Sequence, residues 1–200
     1  MATEGKRGPY AKGLARRAQI LATALEAYAN SGPQGPSLRS IADSVNLTEA
    51  GVLHYFDSKD ELLIEILAAR DRADLEAYDL STHEGAWALF DHATRTPGLV
   101  KLLVDMTAAS ASPDHPARAF MQERSRAIIE LVSKQLGEGD QWKARMFLAA
   151  AEGLQVQWLR DPSIDLVGDL KRLYDLFDRT GDGATPSASR ARAKRSPIRR

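Results

Sequence analysis

Two short helix-forming segments in residues 37–56, SLRSIADSVNLTEAGVLHYF, constrain the fold more than any other part of the chain. Ser37 has the side chain of a good N-cap, and the helix after it turns Ile41 and Ala42 inward. Thr48 can cap a second short helix after a tight turn. A capped helix, a tight turn and a second short helix are the parts of a helix-turn-helix, which places its second helix in the DNA major groove.

Helical periodicity also dominates the rest of the chain, and the alternation typical of strands is scarce. Ser58 and Glu61 have capping-box spacing and predict the start of a long helix. The predicted inward face of the first helix consists of Leu14, Ala18, Leu21, Leu25 and Tyr28. Further helices are predicted at about 85–95, 97–111, 116–137, 140–160 and 163–179. The sequence therefore predicts an all-α fold of about nine helices.

Charge is unevenly distributed along the chain, although basic and acidic side chains both number 27. Residues 1–60 carry a net charge of +1, residues 61–189 carry −7, and residues 190–200 carry +6. A net charge of zero, taken alone, argues against a nucleic-acid partner, for which a basic domain is the usual footprint. The distribution removes that objection, because the acidic excess lies outside the predicted helix-turn-helix.

Several classes of function are excluded or disfavoured. The chain has no Cys, which excludes disulfides, thiolate zinc sites and cysteine nucleophiles. Its four His residues lack the spacing of a metal-binding helix, and no glycine-rich phosphate loop follows a strand. We therefore expect neither an enzyme nor a cofactor or metal site. No apolar run is long enough to span a membrane, and the N-terminus lacks a signal-peptide core, so we expect a cytoplasmic protein.

Residues 20–67, ILATALEAYANSGPQGPSLRSIADSVNLTEAGVLHYFDSKDELLIEIL, resemble the TetR family of bacterial transcriptional regulators. The landmarks are the first helix, the SLRSIA segment and the pattern HYF-x-SK-x-ELL. The resemblance implies a three-helix helix-turn-helix domain followed by a helical ligand-binding and dimerisation domain. The regions expected are a flexible basic arm at 1–13, the DNA-binding domain at 14–57, the effector-binding and dimerisation domain at 58–180, and a disordered basic tail at 181–200.

The resemblance implies DNA contacts from the second and third helices and from the start of the fourth. Arg39 is the better candidate for a base contact, because Arg reads guanine bidentately. Tyr55 and Lys59 match positions that hold the phosphate backbone, which orients a protein without reading sequence. The residues expected at the DNA are Ser37, Arg39, Thr48, Glu49, Ala50, Gly51, His54, Tyr55, Lys59 and Arg17.

Two departures from the family pattern affect this expectation. The family often has Gly followed by Thr or Ser where this chain has Ala50-Gly51, and often Tyr where it has Leu53. We therefore expect the contacts with DNA bases to come from Arg39, Glu49 and His54. Glu49 keeps two interpretations, since a carboxylate can accept from a cytosine amino group or simply stabilise the start of a helix.

Basic residues also precede the first helix and end the chain. Lys6, Arg7, Lys12, Arg16 and Arg17 fit an arm that enters the minor groove, although a solvated terminus explains Lys6 and Arg7 equally well. Proximity to DNA is favoured for Arg16 and Arg17. The tail can bind DNA non-specifically or keep the protein soluble.

The last two predicted helices carry more apolar surface than one small core needs, which indicates a partner surface. The resemblance implies that they pair with their copies in a homodimer, so that two recognition helices meet the half-sites of a pseudo-palindrome. The expected interface residues are Ala149, Ala150, Gly153, Gln157, Leu170, Leu173, Tyr174 and Phe177.

The resemblance also implies a cavity for a small apolar or amphipathic effector. Candidate ligand contacts are Trp87, Phe90, Leu103, Met106, Phe120, Met121, Phe147 and Gln155, with His83 and His92 as further polar groups. Aromatic and Met side chains at helical spacing are also ordinary core residues, and this alternative stays open for each of them.

These observations predict a cytoplasmic, homodimeric, sequence-specific DNA-binding regulator, a repressor released from its operator by a small molecule. The alternatives are a regulator of the same fold without an effector, a helical adaptor protein, and an enzyme that does not bind DNA.

Overall fold

The computed structural model describes residues 9–136 and 141–179, which form nine α-helices and no strand. The all-α prediction is confirmed over these residues. The helices are α1 (Pro9–Ala29), α2 (Leu38–Ser44), α3 (Glu49–Leu53), α4 (Lys59–Ala77), α5 (His83–Thr94), α6 (Pro97–Ala109), α7 (Ala117–Gln135), α8 (Gln141–Arg160) and α9 (Leu166–Arg179). No helix in the described segments is both long and apolar enough to cross a membrane.

Three hydroxyl side chains fix where the helices of the N-terminal region begin. Ser37, Thr48 and Ser58 each accept a hydrogen bond, 3.0 Å long, from the backbone N–H three residues later. These bonds satisfy N–H groups that have no partner inside the helix. All three predicted N-caps are therefore confirmed, and they set the starts of α2, α3 and α4.

The turn between α2 and α3 depends on one residue in the left-handed region. Asn46 has a φ of 52°, a conformation that Asn tolerates better than most side chains. The next N–H, that of Leu47, donates to the carbonyl oxygen of Ala42 at 2.9 Å and closes the end of α2. The chain therefore reverses within a few residues and sets α3 against α2.

The buried face of α1 differs from the predicted one. Leu14 and Ala18 are exposed, whereas Ile20, Ala24 and Tyr28 are buried. The i, i+4, i+8 spacing of these three residues puts them on one side of the helix. The prediction was wrong at Leu14 and Ala18, because Arg16 and Arg17 make the contacts with the neighbouring helices at that end of α1. It was right for Tyr28, and the predicted Leu21 and Leu25 pack against the core as partly buried residues.

The predicted arm at 1–13 is also partly wrong, because α1 begins at Pro9 and residues 9–13 are helical. Proline is favourable in the first turn, where its missing N–H would have had no partner. Residues 1–8 lie outside the described part of the chain, as does the predicted tail from residue 180 onward.

Two hydrophobic cores hold the fold together, and α6 contributes to both. The first core joins α1, α2, α3 and α4 to α6 and α7; it includes the fully buried Ile20, Val52 and Ile66. The second joins α5, α6, α7, α8 and α9, with Leu166 and Leu170 fully buried. Each such side chain contributes about 1.5–3 kcal/mol by leaving water.

The start of α6 lies directly against the end of α1. The backbone N–H of Gly98 donates to the carbonyl oxygen of Ser31 at 3.2 Å. A Cβ atom on Gly98 would lie 2.0 Å from the Ser31 Oγ and 2.4 Å from the Tyr28 carbonyl oxygen. Only glycine allows the two helices to approach so closely.

Replacing Gly98 by Ala should therefore lower the free energy of unfolding by about 1–3 kcal/mol, because the backbones must separate. Urea unfolding of the purified protein measures this. Gly13→Ala in α1 is the matched control: nothing lies within 4 Å of its Cβ position, and the change should stabilise the protein by about 0.5–1 kcal/mol. Equal stability of the two variants would mean that the α1–α6 contact is not tight.

Candidate functional site

The surface formed by α2, α3 and the first turn of α4 carries the exposed candidates for a nucleic-acid contact. Arg39, Glu49, Ala50, His54 and Lys59 are all exposed. Among the described residues, neither Arg39 nor Lys59 has an ion-pair partner. Both cations are therefore available to a phosphate or a base edge.

Gly51 has a structural reason to be glycine. It is half-buried, and a Cβ there would lie 3.3 Å from the Thr48 Oγ1 and 3.4 Å from the Leu47 Cβ. A side chain would crowd the cap of α3, because Thr48 accepts from the Gly51 N–H itself. Any base contact from α3 must then come from its neighbours.

The side chains of Ser37, Thr48 and Tyr55 already make contacts within the protein. The Ser37 and Thr48 oxygens accept from backbone N–H groups, which holds both side chains at the exposed starts of α2 and α3. Tyr55 is half-buried against the first core, and its ring lies edge-on to His54 at 5.7 Å between centroids. This packing orients Tyr55 at the end of the two-helix unit.

Arg17 connects α1 to the helix-turn-helix and to α4. Its Nε donates to the Tyr55 carbonyl oxygen at 3.0 Å, and its Nη2 pairs with Glu65. Its guanidinium lies 4.7 Å from the centre of the Phe56 ring. The hydrogen bond that Arg17 donates to the Glu65 carboxylate, together with nearby Glu61, raises the pKa of Arg17. These contacts use Arg17 as an internal brace, which counts against the expected DNA contact.

The other basic residues near α1 differ in whether they make contacts within the protein. The guanidinium of Arg16 donates to the Gln19 Oε1 at 2.7 Å and to the Val45 carbonyl oxygen, so it supports the α2–α3 turn. Lys12 is exposed on α1. Lys6 and Arg7 lie outside the described residues.

A cavity of about 120 Å³ lies between α4, α5, α6, α7, α8 and α9. One side is aromatic: Trp87, Phe90, Phe147 and Tyr174 contact one another edge-on or tilted, with centroids 5.7–6.4 Å apart. The phenol of Tyr174 is hydrogen-bonded to the His83 Nε2 at 2.7 Å. Burial raises the pKa of Tyr174, with Asp178 and Asp175 adding to the effect.

The predicted ligand contacts divide between this cavity and the first core. Trp87, Phe90, Leu103, Phe147 and Gln155 line the cavity, as does His83. The remaining predictions were wrong: Met106 and Met121 are buried in the first core, and Phe120 packs against it. These three side chains fill the junction of α6 and α7 with the N-terminal helices, the ordinary role of Met and Phe at helical spacing. His92 does not line the cavity and lies beside Tyr78.

Sequence reasoning missed the charged groups of the cavity. Arg70 and Arg124 line it, on α4 and α7, and Glu152 lines it from α8. The Arg70 Nε lies 3.3 Å from an Asp74 carboxylate oxygen, and Arg124 bonds Asp71 at 2.8 Å and 3.3 Å. Spacing along one helix does not show that these charges lie inside the fold, because the packing of α4 and α7 against the other helices brings them to the cavity.

Burial changes the pKa values of three charged groups at or beside the cavity, Arg70, Asp74 and Glu152. It lowers the pKa of Arg70, an effect that Asp74 partly offsets. It raises the pKa of Asp74, with Arg70 acting in the opposite direction, and it raises that of Glu152 against the influence of Arg124. The carboxyl groups beside the cavity therefore bind protons more readily than exposed ones.

The outer faces of α8 and α9 carry the exposed apolar surface of the C-terminal region. Trp142, Met146 and Leu176 are 56%, 45% and 60% exposed. Of the predicted interface residues, Ala149, Gly153 and Gln157 are exposed, and Ala150, Leu173 and Phe177 are half-buried. Leu170 and Tyr174 were wrongly assigned, because both are buried inside the protomer by packing of α9 against α5 and α8.

Within the described segments, no cluster of three or more His, Asp or Glu residues has the arrangement of a metal site. The geometry instead defines a class: a helix-turn-helix domain fused to an all-helical domain that encloses a cavity.

Comparisons with known proteins relate the N-terminal part of the chain to a family. Residues 20–66 match the model described as bacterial regulatory proteins of the tetR family, which covers just under a quarter of the chain. The N-terminal segment is therefore similar to the DNA-binding region of that family. No curated protein matches it in sequence.

Solved structures agree on the overall fold. A tetR-family transcriptional regulator from Streptomyces coelicolor superposes with a TM-score of 0.59 at 21% identity, covering 82% of this chain and 79% of that one. A transcriptional regulator from Rhodococcus sp. Rha1 gives 0.56 at 17% identity, covering 82% and 94%. The chain thus has the fold of a TetR-family transcriptional regulator over both its N-terminal and its C-terminal helices.

Arg17→Ala should lower the free energy of unfolding by about 1–2 kcal/mol, since it removes the Tyr55 hydrogen bond, the Phe56 contact and the Glu65 pair. Thermal unfolding measures the change. Lys12→Ala, an exposed position on the same helix, should leave stability unaltered and serves as the control. Unchanged stability of Arg17→Ala together with weaker DNA binding would instead make Arg17 a DNA contact.

Proposed function

We propose that the protein is a homodimeric repressor that binds a pseudo-palindromic operator and is released from it by a small molecule. The observation that carries DNA binding is the capped α2–α3 unit with Arg39 and Lys59 exposed and unpaired beside it, inside the segment that matches the family. Arg39 reads a base edge from α2. Lys59, at the first residue of α4, holds a phosphate.

The proposed division of labour follows the chain. Residues 14–57 bind DNA, with Ser37, Thr48, Glu49 and Ala50 at the groove. Residues 58–180 bind the effector and form the dimer, and the acidic excess of the chain lies there, away from phosphate. The cytoplasm is the proposed location, because the operator is there.

Dimerisation is proposed through α8 and α9. Their exposed apolar side chains, Trp142, Met146 and Leu176, are large enough to form the centre of an interface, and Ala149 and Gly153 allow close approach of two helices. A two-fold dimer presents two α3 helices. Two such helices fit DNA half-sites whose centres are separated by one helical turn of DNA or by a multiple of it. Because each head carries few free cations, binding by both heads together is what gives tight binding.

Release by an effector requires that the ligand bind better to a dimer whose two heads are wrongly spaced. The helix α4 begins at Lys59 and reaches the cavity at Arg70, roughly 17 Å further along its axis. A ligand that alters the position of α4 at Arg70 therefore alters the position of the phosphate contact. Leu103 lines the cavity on α6, whose first turn is bonded to the end of α1.

The proposal is tested with DNA taken from upstream of the protein's own gene. We expect a retarded complex with the stoichiometry of a dimer, at nanomolar to micromolar protein, that survives excess random DNA. Failure to bind any DNA at low salt would favour the adaptor or enzyme alternative. Specific binding that no small molecule relieves would favour a regulator without an effector.

Arg39→Ala should cost about 1–3 kcal/mol of operator affinity and relax preference at one base pair, because a bidentate base contact is lost. Lys59→Ala is the contrasting variant: it should weaken binding to all sequences and reduce the slope of affinity against salt by about one unit. Fluorescence anisotropy over a salt series measures both. If Arg39→Ala reduced operator and random-DNA affinity equally, Arg39 would be a phosphate contact and not a reader.

Ala149→Glu should convert the dimer to a monomer, because it introduces two like charges at the proposed two-fold interface. Ala149 is exposed in the protomer, so the fold should be retained. The control is Ala73→Glu, which places the same charge on an exposed position of α4. Sedimentation equilibrium distinguishes the two; a dimer in both variants would exclude α8 from the interface.

A further inference from the structure

The cavity holds one buried hydrogen-bond donor that the protein does not satisfy. Arg70 is only 7% exposed, and its Nη1 has no hydrogen-bond partner. Its Nε interacts with Asp74, so the guanidinium is oriented from one side only. A buried donor left without an acceptor costs the protein free energy, and such groups in native proteins commonly mark a binding function.

Most of the remaining lining of the cavity is apolar, and part of it is aromatic. Trp87, Phe90, Phe147 and Tyr174 form a continuous aromatic wall of the same cavity. Rings of this kind favour a planar aromatic guest, which they contact by stacking or edge-to-face. A guest with an acceptor at one end and a ring at the other matches both sides.

The unsatisfied nitrogen of Arg70, and not the net charge, favours a guest with an acceptor, since the two guanidinium groups lie with three carboxyl groups at or beside the cavity. Arg124 donates two hydrogen bonds to Asp71, so the charges of these two side chains neutralise each other. Arg70 interacts with Asp74 through its Nε side only. Burial raises the pKa of Asp74 and of Glu152, so both carboxyls repel an incoming anion less than exposed ones would. A cation would have to lie beside the two guanidinium groups, which stay protonated.

We propose that the cavity binds a small aromatic carboxylate, whose acid group accepts hydrogen bonds from the Arg70 guanidinium while its ring packs against Trp87, Phe147 and Tyr174. This inference rests on the proposed function, because it names the chemical class of the effector. The Arg–carboxylate pair is planar and can be bidentate, so it fixes the orientation of the ring as well as adding affinity. The cavity volume of about 120 Å³ fits a single ring with a short acidic group.

The test uses three probes of one shape: benzoate, benzamide and benzamidinium share the ring and the number of heavy atoms but are an anion, a neutral amide and a cation. Isothermal titration calorimetry on the full chain should give benzoate about 10-fold tighter binding than benzamide, and benzamidinium the weakest. Tightest binding by benzamidinium would overturn the proposal and identify Glu152 as the group that selects the ligand.

Two variants test whether Arg70 causes the preference for benzoate over benzamide. Arg70→Lys keeps the charge but loses the planar fork, and should reduce the benzoate preference over benzamide. The double variant Arg70→Met, Asp74→Leu replaces the buried pair with apolar side chains, a change that often preserves folding. It should lose the preference for benzoate over benzamide, because the charged donor that distinguishes the two probes is gone. The control is Arg95→Gln, an exposed position paired only with Asp91, which should behave as the parent.

The outcomes separate this inference from the proposed function. Equal benzoate preference in the parent and the double variant would overturn the role of Arg70, as would a parent that binds none of the probes at millimolar concentration. Operator binding retained in either case would leave the DNA-binding regulator in place. Benzoate binding that depends on Arg70, in a protein that binds no DNA, would support the ligand class and overturn the regulator.

Discussion

The packing of α6 determines how the two halves of the protein are joined. Its first turn approaches the end of α1 at Gly98, where only a glycine fits, and its later residues enter both hydrophobic cores. The helix-turn-helix is therefore attached to the C-terminal helices through packed side chains and backbone hydrogen bonds, not through a linker. Because Leu103 of α6 lines the cavity, α6 connects the cavity directly to the helix-turn-helix, the proposed DNA-binding surface.

Local chemistry made the N-terminal region predictable. The caps at Ser37, Thr48 and Ser58 depend on nearest neighbours, and they were identified from spacing alone. Helix number and approximate bounds followed from periodicity in the same way. The predicted inward face of α1 was wrong only at Leu14 and Ala18, where arginine side chains make the contacts with neighbouring helices, and sequence periodicity does not give that information.

The cavity was predictable only in part, for a related reason. Its aromatic wall follows from residue type, but its charged groups do not: Arg70 and Asp74 have the spacing of an exposed ion pair and are buried by helices distant in sequence. Likewise Leu170 and Tyr174 are apolar residues of the expected outer helix that turn inward. The sequence of an amphipathic helix predicts that one face is apolar. Whether that face packs inside the protomer or against a second copy depends on the assembled fold.

The first hydrophobic core has a consequence for how proteins of this kind can be recombined. It crosses the boundary between residues 14–57 and the remainder, since residues of α4, α6 and α7 complete the packing of α1, α2 and α3. Exchange of reading heads between related regulators at that boundary would cut through a packed core and leave mismatched surfaces. A productive chimera must carry the matching faces of α4 and α6 with the head, so the two halves are less separable than a domain boundary at residue 57 implies.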